Sequence, residues 1–337
     1  MVTVVLVAVG FWVSEIAPSR QAAVRVGLRE PSMSYFVKRL NTVLADPVYS
    51  GPSASSLISQ APATVSRDII EEEVLLRRAA TLGVTVSNDE IDGYIAEKLF
   101  LPFVRDAEGK MKYSQSFENG VRSTLRRGGL TLAEYRRSMH GQRLRDAVKK
   151  HFEEGAPEAQ PAVRLRQISL SDEAAAKDVQ QQVAGGADFA QVVATRSTDL
   201  TQQATGGLLD WAPEGLLLPE FKDPATKLPV GQVSDPIKVG DKYYVIRVEE
   251  RSESRQLTAS ERTTLATKMF DEWMQQQHHH LGVENFVTSD QNRERYAIER
   301  SNALDIIVRN QANRRGGAGG ARPPAGIPPA PAGGTTP

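Results

Sequence analysis

The run Val163-Arg164-Leu165-Arg166-Gln167-Ile168-Ser169-Leu170 opens the stretch that decides the fold, and Lys242-Tyr243-Tyr244-Val245-Ile246-Arg247-Val248 closes it. Both runs are bounded by turn residues and carry alternating or β-branched and aromatic side chains, which predicts strands. Between them, Ser171 reads as the cap of a helix with Val179 and Val183 on one face, ended by Gly185-Gly186. Asp188 reads as the cap of a second short helix holding Phe189, Val192 and Val193. Gly206-Gly207 and Leu228-Pro229-Val230-Gly231 turn the chain, and Asp210 beside Trp211 reads as a turn residue. Trp211, Leu216, Leu217, Leu218, Pro219 and Phe221 form a dense apolar cluster. Strands interleaved with helices over roughly 90 residues predict a compact α+β module.

Working outward, the flanks read as helix. Thr258-Ala259-Ser260-Glu261 is a capping box, in which the first side chain accepts from the fourth amide and the fourth carboxylate reaches back. Leu265, Met269, Phe270 and Trp273 follow at helical spacing, a stripe that reads as core. Ser87-Asn88-Asp89-Glu90 and Thr131-Leu132-Ala133-Glu134 are two more such boxes on the N-terminal side, opening helices expected to reach about Val104 and Phe152. Asp106–Glu118 reads as a polar loop, with a short helix after it to Arg126. Another helix is expected from Ser66 or Asp68, ending before Gly83, with Glu71-Glu72-Glu73 as a solvated face. Val24–Leu28 predicts a short strand and Ser34–Leu44 an amphipathic helix. Pro47, Gly51, Pro52 and Pro62 make Pro47–Pro62 a loop, and Gly155, Pro157 and Pro161 mark a linker.

At the N-terminus, Val2–Val13 carries no charge. It is shorter than the ~20 apolar residues of a full span and has no basic region before it; both defects vanish if the true start lies upstream, and it reads as a membrane anchor or signal segment, with a buried strand or helix of a soluble protein as the alternative. From Gly316 the chain is mostly Gly, Pro and Ala and cannot bury enough apolar surface to order itself.

The 337 residues carry 41 basic and 41 acidic side chains, a balance that argues against a nucleic-acid partner. With no cysteine, disulfides, thiol catalysis and cysteine metal sites are excluded. His278-His279-His280 would point about 100° apart on a helix and not converge on one ion. No metal and no cofactor is expected.

The fragments "FAQVVATRSTD" (189–199), "LPEF" (218–221), "LPVGQVSDPIKV" (228–239) and "YYVIRVEER" (243–251), with Gly206-Gly207 four residues before Trp211, together resemble the parvulin-type (PpiC) peptidyl-prolyl cis-trans isomerases. The likeness runs from Val163 to Arg251. The flanks resemble the SurA- and PrsA-like foldases: Leu75-Leu76, Ala79, Leu82-Gly83, Val86-Ser87 and Glu90-Ile91 match one helical motif, and Gly129-Leu130-Thr131 with Glu134-Tyr135-Arg136 another. The resemblance implies an α+β parvulin-like domain, a small antiparallel sheet with surrounding helices, set between an N-terminal helical chaperone segment and a C-terminal helix. It implies this plan: 1–20 anchor or signal; 21–157 SurA-like helical domain; 160–252 parvulin domain; 256–312 C-terminal helices packing on the N-terminal domain; 316–337 disordered tail.

The resemblance also implies the chemistry. Isomerisation breaks no bond; its barrier of about 18–20 kcal/mol is lost amide resonance. A catalyst must bind the twisted amide better than either planar form, and an apolar pocket around the proline ring favours it by stripping water. Leu217, Leu218 and Phe221 stand where the family builds that pocket. The polar set beside it falls on Gln167, Asp199 and Tyr244. Gln167 and Tyr244 occupy places where the family has histidines, though both donate and accept hydrogen bonds. Val239, Lys242 and Leu208 also depart from the family's threonine, glycine and acidic residue. Two functions stay open: an isomerase and foldase for exported, partly unfolded chains with X-Pro bonds, membrane-anchored and extracytoplasmic, or a catalytically degenerate domain in a non-enzymatic chaperone or adaptor.

Overall fold

The computed structural model describes residues 12, 16–50, 54–101, 104–105, 107, 111–112 and 115–317. The apolar run of residues 1–11 and 13–15 and the tail beyond 317 lie outside the described residues, as do the anchor and tail expectations placed on them. In chain order the elements are α1 (Ala17–Arg20), β1 (Val24–Arg25), α2 (Met33–Leu44), α3 (Ala54–Arg78), α4 (Asn88–Lys98), β2 (Val104–Arg105), β3 (Met111–Lys112), α5 (Gln115–Gly128) and α6 (Leu132–Gly155). Then follow β4 (Ala159–Leu170), α7 (Glu173–Ala184), α8 (Phe189–Arg196), α9 (Leu200–Thr205), β5 (Leu208–Pro213), α10 (Pro219–Lys227), β6 (Ile237–Val239) and β7 (Lys242–Gln256). The chain closes with α11 (Ala259–Leu281), β8 (Glu284–Asn285), α12 (Phe286–Ser289), α13 (Gln291–Arg300) and α14 (Ala303–Gly317). It divides into two compact units, Met1–Arg145 with Gln276–Pro337, and Asp146–Gln275.

The first unit is helical because its apolar positions recur at helical spacing. Phe36 and Leu40 of α2 are fully buried, as are Ile58, Val65, Ile69 and Leu75 along α3 to within 1%. Here α3 overrides the loop expected up to Pro62. It begins at Ala54 and carries Pro62 in its interior. A proline there costs about 3 kcal/mol, and burial of Ala54, Ile58, Ala61, Pro62 and Val65 on one stripe outweighs it. The chain's C-terminal part rejoins its N-terminal part by pairing β1 with β8, Val24 opposite Asn285. The guanidinium groups of Arg25 and Arg293 each lie over the Phe286 ring, 5.2 and 4.7 Å from its centroid. The expected loop at 106–118 is shorter than read, since β2 and β3 pair and α5 starts at Gln115.

The acidic run on α3 is not a solvated face. Glu72 and Glu73 are 3% and 4% exposed. Arg39 holds Glu72 with two bonds of 2.6 and 2.9 Å, and Arg137 holds Glu73 with two of 2.8 and 2.6 Å. Ser138 and Gln142 also donate to Glu72. Arg145 reaches Glu71 at 2.5 Å, and Arg136 pairs with buried Asp92. The sequence shows three like charges in a row; their arginine partners lie on α2 and α6, 33 or more residues away.

All three capping boxes form. At α6 the Thr131 amide donates to Glu134 Oε2 at 2.7 Å and the Glu134 amide to Thr131 Oγ1 at 3.2 Å, while Lys38 Nζ lies 3.0 Å from Glu134 Oε1. Burial opposes the charge on Glu134, yet these donors hold its carboxyl below the ordinary glutamate range. A depressed carboxylate stabilises the fold above its unfolded pKa, and that stability is lost as pH falls through the folded value. Glu134→Gln should lower stability at neutral pH by about 1 kcal/mol. The gap from wild type should close as urea midpoints are measured at pH values descending below the ordinary glutamate pKa.

In the second unit the sheet order is β5-β4-β7-β6, antiparallel throughout. This is the α+β architecture expected from residues 163–250, with longer central strands: β4 begins at Ala159 and includes Pro161, and β7 runs to Gln256. Alternation sends the two strand faces to different partners. Ile168, Leu170 and Val245 pack with Val179, Val183, Phe189 and Val193 of α7 and α8. Val163, Leu165, Ile246 and Val248 pack with Leu217, Phe221 and Ala225. Asp172, not Ser171, caps α7, its carboxylate accepting from the Ala175 amide at 2.8 Å. Asp210 lies in β5 and not in a turn. Phe270 and Trp273 of α11 are buried against Phe152, ring centroids 6.3 and 6.2 Å apart.

Candidate active site

The face of the sheet that meets α10 carries the candidate site. Gln167 and Ser169 alternate onto the same face as Leu165, and Tyr244 onto the same face as Ile246 and Val248. Gln167 pairs opposite Ile246, and Ser169 opposite Tyr244. The strand pairing therefore brings Gln167 and Tyr244 to neighbouring, diagonal positions on one face. Both are half-buried.

Helix α10 supplies the apolar wall. Pro219 at its first turn presets the backbone, and Phe221 and Ala225, four apart, turn inward. Its last carbonyls are capped by Arg251, which donates to Ala225 O and Leu228 O at 2.9 Å each. Lys268 of α11 donates to Gly215 O at 2.7 Å and so ties down the loop leading to Leu217. Phe221 meets Tyr244 edge to face, centroids 5.5 Å apart. The three apolar residues are not equivalent. Leu217 and Phe221 are 7% and 8% exposed and belong to the core, whereas Leu218, the N-cap of α10, is 50% exposed.

Asp199 caps α9: its Oδ1 accepts from the Thr201 amide at 2.8 Å and from the Gln202 amide at 3.3 Å. Its carboxylate is thus bound to its own helix, and its connection to the strands runs through other side chains. The Asp199 amide donates to Ser197 Oγ at 3.1 Å. Ser197 Oγ donates to Gln202 Oε1 at 2.8 Å, and the same oxygen accepts the Ser169 amide at 2.8 Å. Thr198 closes the contact: its amide donates to Ser169 O at 2.9 Å, and its hydroxyl lies 3.0 Å from Ser169 Oγ. Ser169, Ser197 and Gln202 are 1%, 5% and 5% exposed. Ser169 and Gln202 are not among the site residues that the sequence points to. For Ser169 the signal was there, a hydroxyl two positions beyond Gln167 on the same strand face; Gln202 gave none, because its partners are set by the chain reversal at Gly206-Gly207.

That reversal also fixes Gln167. Gly206 and Gly207 both have positive φ, +60° and +75°. The Gln167 amide donates to Gly207 O at 2.9 Å, and a Cβ on Gly207 would come within 2.3 Å of Gln167 O. Among the described residues no group of three or more His, Asp or Glu is placed to hold a metal ion.

A family model described as a PPIC-type PPIASE domain matches residues 145–261. Those residues are a parvulin-type domain. The match contains the whole four-stranded sheet and the helices around the candidate site. Among relatives, the Foldase protein PrsA of Geobacillus sp. (strain WCH70) is 29% identical over 191 residues, 57% of this chain and 64% of that one. The Chaperone SurA of Saccharophagus degradans is 32% identical over 112 residues, 31% of this chain and 26% of that one. A crystal structure of peptidylprolyl isomerase (PrsA) from Bacillus anthracis aligns with 64% of this chain and 97% of that one, at 22% identity and a TM-score of 0.41. The chain spans slightly less than two thirds of the length of the PrsA relatives, 64% and 63%.

Proposed function

We propose that this chain is a peptidyl-prolyl cis-trans isomerase that assists the folding of exported proteins. The observation that supports this most is the parvulin-type domain with Phe221, Tyr244 and Gln167 gathered on one face of its sheet. The proline ring of a client would lie on the apolar wall of Leu217, Leu218 and Phe221. Gln167 and Tyr244 at its edge would hydrogen-bond the client backbone beside the twisting amide, and the Asp199 carboxylate would accept from a client N–H. An uncatalysed X-Pro bond turns over in tens of seconds, slow enough to limit a client's folding. The foldase names of the relatives favour unfolded or partly folded polypeptides as substrates. The same reading places the chain outside the cytoplasm, held to a membrane through its N-terminal apolar run. Among the described residues no helix is long and apolar enough to cross a membrane, so that anchor rests on residues 1–20. Recovery of the full chain from the soluble fraction after cell lysis would remove it.

A second reading has an observation of its own. The Phe221 ring is 8% exposed and lies against Tyr244, so the wall is packed and Leu218 is its open part. A domain kept only to hold peptides would suffice for that surface, in a non-enzymatic chaperone or adaptor.

The test is a protease-coupled assay of a proline tetrapeptide with the full chain. Isomerisation above the uncatalysed rate is expected, and Phe221→Leu, which nearly keeps the core volume, should lower kcat/KM between about ten- and a hundredfold, in the range of 1–3 kcal/mol. Retention of full activity in that variant would remove Phe221 from the site. An uncatalysed rate in wild type, together with suppression of client aggregation, would decide for the chaperone.

A further inference from the structure

Helix α9 is short, and Leu200 at its start is 79% exposed, yet Gln202 turns inward and is 5% exposed. An inward glutamine must satisfy its amide. Its Oε1 does so twice, receiving the Ser169 amide and the Ser197 hydroxyl at 2.8 Å each. Both partners supply hydrogen, so this end of the side chain is the oxygen. Nε2 has no partner among the described residues and is not a sealed, unsatisfied atom, so it keeps access to solvent.

The bonds form one directed chain. The Asp199 amide donates to Ser197 Oγ, the Ser197 hydroxyl donates to Gln202 Oε1, and the Ser169 amide donates to the same oxygen. The Gln202 backbone N–H separately donates to Asp199 Oδ1. Ser169 sits opposite Tyr244 and two residues from Gln167 on one face. This oxygen therefore adds, beside the Thr198 bonds to Ser169, a buried link from the segment carrying Asp199 to the strand carrying Gln167 and, across the pairing, to Tyr244.

We propose that Gln202 is a positioning residue for isomerisation, setting Asp199 relative to Gln167 and Tyr244 through its single side-chain oxygen. This rests on the isomerase reading above. Gln202→Leu keeps much the same side-chain size but leaves the Ser169 amide without its acceptor and the Ser197 hydroxyl with Ser169 Oγ at 3.4 Å, so the Asp199 segment shifts. Gln202→Glu keeps an acceptor oxygen but places a charge beside the Asp199 carboxylate. Protonation removes that charge and restores a neutral side chain of the same length.

The experiment uses the full chain, with exchange between cis and trans forms of a proline peptide followed by NMR over a range of peptide concentrations and pH. Gln202→Leu is expected to lower kcat between about ten- and a hundredfold, with KM within about twofold. Gln202→Glu is expected to regain activity as pH is lowered through the introduced carboxyl's titration, over a range in which wild type is flat. Circular dichroism on the same samples gives the folded fraction. Unchanged kcat in folded Gln202→Leu, loss of kcat only in proportion to unfolded protein, or a Gln202→Glu profile parallel to wild type would overturn the proposal. Should Gln202→Leu fail to fold, the Gln202→Glu profile decides. Absence of turnover in wild type would overturn this inference and the isomerase reading together, whereas wild-type turnover with an indifferent Gln202 would overturn this inference alone.

Discussion

Arg39→Ala should be among the most destabilising single substitutions in the first unit, at about 3–5 kcal/mol. Arg39 is 5% exposed and Glu72 3%, and their two bonds of 2.6 and 2.9 Å form one buried, bidentate pair. Burial works against the guanidinium charge, but the neighbouring Glu72 carboxylate outweighs it and raises the pKa above its ordinary value. Removing the arginine leaves Glu72 charged in the interior, with Ser138 and Gln142 as its donors among the described residues. The expected result is a large fall in the urea midpoint of the full chain. Replacing both partners, Arg39→Met with Glu72→Leu, should recover most of the loss, because no unpaired charge remains. A single variant within 1 kcal/mol of wild type, the range of exposed ion pairs at about 0–1 kcal/mol, would show that water reaches Glu72. The same logic explains why the acidic run on α3 reads wrongly in isolation. Charge in sequence says "solvated" only until a partner from another helix arrives.

Gly207→Ala should disable the second unit's site. Two separate penalties meet there: φ is +75°, where a Cβ is strained, and the added atom would sit 2.3 Å from the Gln167 carbonyl oxygen and 3.1 Å from Val193 Cγ2. The nearest obstacle is backbone in the central strand, so it cannot turn aside as a side-chain tip can. Strain of this kind is on the order of 1–3 kcal/mol, with the clash added to it. Gly83 is the control. It has the same φ of +75° but no atom within 4 Å of the Cβ position, so Gly83→Ala should show the strain alone. A larger loss of thermal stability at Gly207 than at Gly83, with loss of isomerisation at temperatures where the Gly207→Ala protein stays folded, is expected. Equal losses at the two positions would mean that the β4–β5 edge yields and that Gln167 is not held by its bond to Gly207 O.

Much of the fold could be read locally. The strands at 163–170 and 242–248, the caps at Asp188, Ser87, Thr131 and Thr258, and the turn at Gly206-Gly207 all follow from side chains that act within a few residues of themselves. The apolar wall was legible in part. Leu217, Leu218 and Phe221 are visibly greasy, but which of them stays exposed depends on how α10 lies on the sheet, and only Leu218 remains open. Helices α9 and α10 carry little local signal, since one is six residues long and the other contains two prolines. Pro62 misled in the opposite sense, because a helix interior tolerates proline only when packing elsewhere exceeds its penalty.

The sequence by itself determined an α+β module and its helical flanks, and its resemblance to the parvulins pointed to the residues of the candidate site. Short-range periodicity, capping and turn chemistry encode the module and the flanks, and they need no distant partner. Only the tertiary structure decided that Glu72 and Glu73 are buried, that Tyr244 lies edge-on to Phe221, and that Gln202 joins Ser169 to Ser197. Each of these depends on groups brought together from 23 or more residues apart in the chain. The physical reason is that burial and hydrogen-bond satisfaction are properties of a surrounding shell, and that shell exists only once the chain has closed on itself.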